Sequence, residues 1–234
     1  MRILLLFLLC FACLTTPALA GGAGLSEVVG TLEAGYGSLH DLQASFSQTT
    51  TLAGFPKPQK GHGTLALRRP GGTAAQFRFD YAVPRQLIIS NGRQVWFYQP
   101  DNRQVMITPL AGMFKGGGGI ALAYLTGLGN VSKDFDASLA KEPRDRQGNY
   151  HLVLTPRHPT PTLSRLLLTI DGSAVGRYQT EKALHDTFPI LSSVVVDGSG
   201  NQTRIDYSRV KVNRGLPAAR FNFKVPRGVE IIKP

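Results

Sequence analysis

From Leu42 onward, apolar side chains recur at every second position in short segments that are separated by turn residues. Leu42, Ala44 and Phe46 alternate with polar residues, and the segment 77–81 shows the same alternation. A period of two is the spacing of a β-strand with one buried face. About eleven such segments occur, and turn pairs such as Asn91-Gly92 predict that they form an antiparallel meander.

The segments extend over most of the chain. The predicted strands are 42–47, 63–69, 77–81, 87–89, 95–98, 105–108, 150–154, 163–170, 191–196, 203–210 and 221–225. The stretch 178–183 is a weak strand or an insertion, and 229–232 is a final apolar stretch. A sheet with so many strands must curl or be covered.

Two stretches depart from this period. Residues 25–36 carry apolar side chains at three- and four-residue steps, which predicts an amphipathic N-terminal helix. Residues 113–136 contain four consecutive glycines, 116–119, followed by apolar residues that include Leu122 and Leu125. We interpret this stretch as a mobile loop with a short lid helix. The predicted fold is therefore mainly β, a curled sheet that encloses an apolar cavity beneath two helices.

The first twenty residues have the features of a secretory signal peptide. Arg2 precedes an apolar run that ends at Leu14, and Ala18-Leu19-Ala20 forms a small-x-small cleavage site. The run is too short for a membrane anchor, and a lipid anchor on Cys13 is disfavoured by the site just beyond it. We predict export, cleavage after Ala20 and a single domain over 21–234. Both cysteines would leave with the leader, so disulfides and thiolate chemistry are excluded from the mature chain.

The distribution of charge and the absence of catalytic motifs disfavour several classes of protein function. The formal net charge of +11 comes from scattered lysines and arginines without a dense basic run, which disfavours nucleic-acid binding. The histidines show no metal-ligand spacing and no GxSxG motif is present, so we predict neither catalysis nor a metal or cofactor. A regulatory module that senses lipid or peptide through the same curled sheet stays an alternative.

Arg69 breaks the alternation of its strand. Counting by two from Gly63 places Arg69 on the same face as Leu65 and Leu67. A guanidinium that points towards an apolar space must be hydrogen-bonded. Either the strand frays before Pro70 and leaves Arg69 on the surface, or Arg69 bonds to the lid and acts as a latch on the cavity.

Several segments, in order, resemble the outer-membrane lipoprotein carrier family, LolA. They include Leu42–Gln48, Gly63-Thr64-Leu65 with Arg69-Pro70, Phe77-x-Phe79, Ile89–Gly92, Val95–Pro100 with Gln104, Leu152–Pro156 and Phe221–Val229. The resemblance covers most of residues 25–232. It departs from the family pattern in the longer stretch 71–76, in Phe79 where tryptophan is common, in the apparent insertions 116–119 and 178–188, and in the strong basicity.

The resemblance implies an incomplete antiparallel β-barrel with helices as a lid over an apolar cavity. It implies a periplasmic carrier that takes lipoproteins from an inner-membrane ABC transporter, LolCDE, and delivers them to an outer-membrane receptor, LolB. The family's lid-latching arginine falls on Arg69 and its cavity-mouth aromatic on Phe77. With the alternation, this gives the candidate acyl-binding set of a monomeric carrier: Phe46, Leu65, Leu67, Phe77, Phe79, Leu122 and Leu125.

Overall fold

A computed structural model describes residues 22–71, 75–113, 131–158 and 161–232. The predicted leader, the four glycines at 116–119, and Leu122 and Leu125 of the predicted lid helix lie outside these residues. No helix in the described ranges is long and apolar enough to span a membrane.

The described residues form one large sheet of twelve strands, one more than the sequence predicts. In chain order the strands are β1 Asp41–Thr51, β2 Gln59–Arg68, β3 Gln76–Val83, β4 Gln86–Ser90, β5 Gln94–Gln99, β6 Gln104–Pro109, β7 Phe135–Arg144, β8 Tyr150–Pro156, β9 Arg165–Ile170, β10 Ile190–Val196, β11 Gln202–Val212 and β12 Glu230–Ile232. The described helical segments are α1 Leu25–Gly37, α2 Leu110–Met113, α3 Val131–Asp134, α4 Gly172–Glu181 and a 3₁₀ helix at Ala218–Phe221.

Two antiparallel meanders, β1 to β6 and β7 to β11, join through the long pairing of β1 with β11. β12 adds to β6 in parallel, so β12 and β7 lie at the two ends of the strand order. Side chains from both meanders, such as Val95 and Leu152, belong to one buried apolar cluster with Leu32 of α1. Since strands far apart in the order share one core, the sheet curls around α1, which confirms the predicted incomplete barrel.

The face of the sheet that contacts this core, here called the inner face, follows the predicted alternation. Phe46, Leu65 and Phe79 are on it, each at most 3% exposed. In β5, Val95 belongs to the inner cluster, whereas Trp96 packs in a separate cluster on the opposite, outer face. The sequence alone left open which of these two positions points inwards.

The outer face is partly covered by the chain after β11. Phe221 packs with Ala66 of β2, and the Phe223 ring lies 5.3 Å from that of Tyr98. The predicted strand 221–225 is therefore wrong. Its alternating aromatic residues fill the outer surface of the sheet instead of pairing with a strand, and Phe221 itself ends a 3₁₀ helix.

The predicted N-terminal helix is confirmed, whereas the weak strand considered for 178–183 is wrong. Residues 172–181 form α4, because the Asp171 carboxylate caps its N-terminus by accepting a hydrogen bond from the Ser173 N–H at 3.0 Å. α4 packs against α1, where a side chain on Gly30 would collide with the Tyr178 ring. The apparent insertion is thus part of the cover over α1.

β7 was also missed, because the loop prediction extended to residue 136. Phe135, Ala137 and Leu139 pack in or against the core at alternate positions, and residues 141–144 are exposed. The strand lies at the edge of the sheet, and its polar second half hides the alternation.

Gly63 lies opposite Phe46, next to an irregularity in the pairing of β2 with β3. A Cβ at this position would overlap the backbone carbonyl oxygen of Asp80, which cannot rotate away. We expect Gly63→Ala to lower the free energy of unfolding by about 1–3 kcal/mol or more in urea denaturation. Gly176→Ala is the control, because a Cβ at Gly176 in α4 would meet open space. Its free energy of unfolding should rise by roughly 0.5–1 kcal/mol. Equal effects of the two variants would contradict this.

Two hairpin loops, 145–149 and 197–201, share the pattern Asp-x-x-Gly-Asn. In each, the aspartate accepts hydrogen bonds from the backbone N–H groups two and four residues later and from the asparagine side-chain amide. The Asn149 side chain contributes most to lowering the pKa of Asp145. At Asp197 desolvation raises the pKa, but the hydrogen bonds together outweigh it and the pKa is lowered.

These loops predict an acid-sensitive part of the stability. The folded-state pKa values lie below 3.8, the ordinary value, so the stabilisation is complete above that pH and is lost as the pH falls through the folded-state values. We expect the double variant Asp145→Asn, Asp197→Asn to be less stable than the parent at neutral pH. It should lose less stability on acidification to about pH 3. Parallel pH profiles of the unfolding free energy would refute this.

Candidate functional site: the apolar inner face and Arg69

Five of the seven candidate acyl-binding residues lie together at the centre of the inner face. Leu65 pairs directly with Phe79, and Leu67 with Phe77, across β2 and β3. Phe46 comes from the neighbouring β1, and its ring centroid lies 5.5 Å from that of Phe79. All five are between 2% and 4% exposed. The structure thus places them on one apolar surface, whereas Leu122 and Leu125 lie outside the described residues.

Aromatic side chains extend this surface on both sides of Phe46. The Tyr81 ring packs edge-on against Phe46 at 4.8 Å. Further along, Phe188 packs between Tyr36 of α1, at 5.9 Å, and Tyr207 of β11, at 5.6 Å. Aromatic rings give broad, weakly directional contact, which suits flexible hydrocarbon chains.

The tyrosine hydroxyl groups on this surface stay neutral. The Tyr81 hydroxyl donates to Gln48 Oε1 at 2.8 Å, and the Tyr207 and Ser193 hydroxyls lie 2.9 Å apart. Burial raises the pKa of Tyr81 to about 12. Burial also raises the pKa of Tyr207, and that of Tyr36 well above its ordinary value. These hydroxyls therefore add no charge to the apolar face near neutral pH.

α1 packs over the inner face with Val28, Leu32 and Tyr36, whose side chains are fully buried. Gly35 allows the close approach of Pro189, whose ring would collide with a larger side chain there. α1 is therefore enclosed between the sheet and the connection from β9 to β10. An acyl chain can reach the aromatic surface only if α1 or another covering segment moves.

Arg69 contacts the end of α1. β2 ends at Arg68, and the Arg69 backbone N–H donates to the His40 carbonyl oxygen at 2.8 Å. Its guanidinium Nη1 donates to the carbonyl oxygen of Tyr36, in the last turn of α1. A cation is favourable there because carbonyl groups at a helix C-terminus lack helical partners and carry partial negative charge. The half-buried guanidinium is thus bonded to the helix that covers the inner face, and not freely solvated.

Sequence reasoning missed part of this surface. Tyr36 was assigned to the helix and Tyr207 to a strand, but neither was named as a candidate for ligand contact. Phe188 was hidden in the stretch 178–188, which resembled an insertion. Tyr207 is two residues after the apolar Ile205, and this spacing could have identified its inward direction. No local pattern marks Phe188.

The described residues thus form a curled sheet whose neutral, aromatic inner face lies beneath a helix, an arrangement suited to apolar ligands. No group of three or more His, Cys, Asp or Glu side chains in the described ranges could hold a metal ion.

Comparisons with known proteins identify the family. Residues 37–182 match the family model "Outer membrane lipoprotein carrier protein LolA". The outer-membrane lipoprotein carrier protein of Pseudomonas aeruginosa is 31% identical over 226 residues, 94% of this chain and 97% of the relative. That of Chromobacterium violaceum is 30% identical over 226 residues, 95% of this chain and 97% of the relative. A LolA superfamily protein from Nitrosomonas europaea has 17% identity and a TM-score of 0.42, over 86% of this chain and 99% of that one.

The chain therefore belongs to the LolA family of outer-membrane lipoprotein carrier proteins. This membership confirms the resemblance seen in the sequence and the prediction of a carrier that is not an enzyme. Carriers of this family are periplasmic and their cargo is lipoprotein. The alternative of a sensory module is not supported.

Proposed function

We propose that this protein shields the acyl chains of lipoproteins on its inner face and carries them from the inner to the outer membrane. The observation that supports this most strongly is the single apolar cluster that joins α1 to both halves of the sheet. Its centre is formed by the aromatic side chains around Phe46 and Phe79. The chain also aligns over nearly its whole length with lipoprotein carriers.

The energetics require such a surface. Leaving an acyl chain in water costs about 0.8 kcal/mol per CH₂, so a lipoprotein carries a penalty of tens of kcal/mol while it crosses an aqueous space. Contacts with Leu65, Leu67, Phe77 and Phe79 are non-directional, so they can accommodate chains of different length.

Arg69 acts as a latch in this proposal. Its bond to the Tyr36 carbonyl stabilises the position in which α1 covers the inner face, and cargo competes with that closed position. The apparent affinity for lipid is lowered by the fraction of molecules that are open, and this allows the carrier to release its cargo. The predicted latch was expected to hold the loop 113–136. Residues 114–130 of that loop lie outside the described residues, and the described contact of the Arg69 guanidinium is with α1.

The remaining parts of the route are part of the same proposal. The leader is cleaved after Ala20, and the mature monomer receives lipoprotein from an inner-membrane transporter of the LolCDE kind. It then delivers the cargo to a receptor of the LolB kind. The family resemblance and the signal-like composition of residues 1–20 support this assignment.

Native mass spectrometry of the mature protein tests the function directly. The protein is incubated with membranes that contain labelled, acylated lipoprotein, and the supernatant is analysed. We expect a soluble one-to-one complex with acylated protein and no complex with the same protein lacking its acyl chains. A correctly folded carrier that stays empty in both cases would contradict the proposal.

A further inference from the structure

A groove on the outer face of the sheet lies on the opposite side from the acyl-binding surface. It is formed over β1, β2 and β11 beside the 3₁₀ helix, and its volume is about 360 Å³. Its polar lining combines Gln43, Ser45 and Thr64 with three cations, Arg209, Lys211 and Arg220. This volume is at the lower end of the range of small-ligand sites in proteins.

An irregularity in β11 directs two of these cations to the outer face. Ser45 of β1 pairs with Ser208, but Gln43 pairs with Lys211, so β11 contains an extra residue between them. Arg209 lies in this bulge with a φ of 51°, a left-handed conformation that is strained for an arginine.

The bulge changes the direction of the strand's side chains. Tyr207 faces inwards, so regular alternation would also turn residue 209 inwards. Instead, Arg209 Nε donates to Ser45 Oγ at 3.1 Å on the outer face. Strained backbone of this kind concentrates at functional sites.

The three cations keep their charge available. None of them takes part in the ion pairs found within the described ranges. Two nearby carboxylates form ion pairs with other arginines. Asp206 pairs with Arg204, with an N–O distance of 2.6 Å, and Asp80 pairs with Arg78, with an N–O distance of 2.8 Å. The groove is therefore positively charged and has hydroxyl groups in its lining.

We propose that this groove binds the phosphate group of an anionic phospholipid headgroup at a membrane surface. Guanidinium, ammonium and hydroxyl donors around one concavity are the groups that recognise phosphate oxygens. The choice of a membrane lipid over a soluble anion rests on the proposed carrier function, because a carrier must meet membranes to exchange cargo. The formal net charge of +11 also favours attraction to an anionic membrane surface. Headgroup binding would hold the carrier at the membrane while its other face exchanges acyl chains.

Vesicle flotation with cargo-free protein tests the proposal. Vesicles contain phosphatidylglycerol and phosphatidylcholine in equal amounts, or phosphatidylcholine alone, at about 0.1 M salt. The triple variant Arg209→Ala, Lys211→Ala, Arg220→Ala should bind the anionic vesicles roughly tenfold more weakly than the parent. The matched control Lys57→Ala, Lys141→Ala, Arg165→Ala removes the same charge from exposed positions away from the groove. Its loss of affinity for the anionic vesicles should be less than half that of the groove variant.

Equal losses in the two triple variants would overturn the proposal, because they would indicate attraction by net charge alone. Saturable binding of inorganic phosphate by a parent protein that does not bind anionic vesicles would assign the groove to a soluble anion. Binding to poly-glutamate without binding to vesicles would assign it to an acidic protein segment. Each of these two results would overturn the lipid assignment.

Arg209→Gly separates binding from folding. Glycine accepts the left-handed backbone, so the variant should be at least as stable as the parent in urea denaturation, yet bind anionic vesicles more weakly. Unchanged vesicle binding would contradict a role for Arg209.

Lipoprotein loading from detergent, measured on the same proteins, distinguishes the two proposals. The groove variants should load normally because the groove lies on the outer face. A parent protein that binds anionic vesicles but never loads lipoprotein would refute the carrier proposal alone. One that loads lipoprotein but ignores phosphatidylglycerol would refute the groove proposal alone.

Discussion

Replacing Arg69 with leucine is expected to leave the protein folded and able to load lipoprotein, but to slow cargo release by roughly tenfold to a hundredfold. The substitution removes the charged hydrogen bond from Nη1 to the Tyr36 carbonyl oxygen. Hydrogen bonds to a charged group contribute about 1.5–3 kcal/mol, and this one stabilises only the closed position of α1. The open, loaded form therefore gains population at the expense of the closed form.

The measurement is the transfer rate of labelled lipoprotein from purified carrier to acceptor membranes. Arg68→Leu is the matched control, because its guanidinium bonds to the Gln76 side chain at 3.0 Å and not to α1. Arg69→Lys keeps the charge but loses the guanidinium geometry, so its release rate should lie between parent and leucine variant. Release from Arg69→Leu at the parent rate would exclude the latch.

Replacing Phe46 with alanine is expected to have the largest effect on stability, a loss of about 3–5 kcal/mol in the free energy of unfolding. Phe46 is 3% exposed, and its ring packs against those of Phe79 and Tyr81. The inner face is enclosed by α1 and by neighbouring strands, so it can collapse only partly into the space left behind.

Urea denaturation followed by the fluorescence of Trp96, the one tryptophan, measures this effect. Phe55→Ala is the control, because Phe55 is 67% exposed in the loop after β1 and its loss should change stability by less than about 0.5 kcal/mol. Similar effects of the two substitutions would show that the inner face is loosely packed and would contradict the structure.

The strands and the inner face could be predicted because their signals are local. Alternation with a period of two gives both the strand and the direction of each side chain, so Phe46, Leu65 and Phe79 were assigned to one surface correctly. The same count gave an inward Arg69 as one of two alternatives, and the bond of its guanidinium to α1 supports that one. Its partner could not be predicted, because the Tyr36 carbonyl lies 33 residues away in a different element.

The errors occurred where tertiary contacts decide the structure. Residues 172–181 begin at the Asp171 cap, which is a local contact with Ser173, but the packing of Tyr178 over Gly30 is a tertiary contact that the local spacing does not show. Phe221 and Phe223 alternate like strand residues but fill the outer face. The groove around Arg209 depends on a bulge, which sequence alone does not place.

Photocrosslinking can locate bound acyl chains on the inner face of the sheet. Lipoprotein whose acyl chains carry a photoreactive diazirine is loaded onto the unmodified carrier and irradiated, and the crosslinked peptides are mapped. We expect crosslinks to inner-face residues of β1, β2, β3 and β11, such as Phe46, Leu65, Phe79 and Tyr207. Crosslinks confined to the outer face, around Trp96 and Phe223, would contradict it.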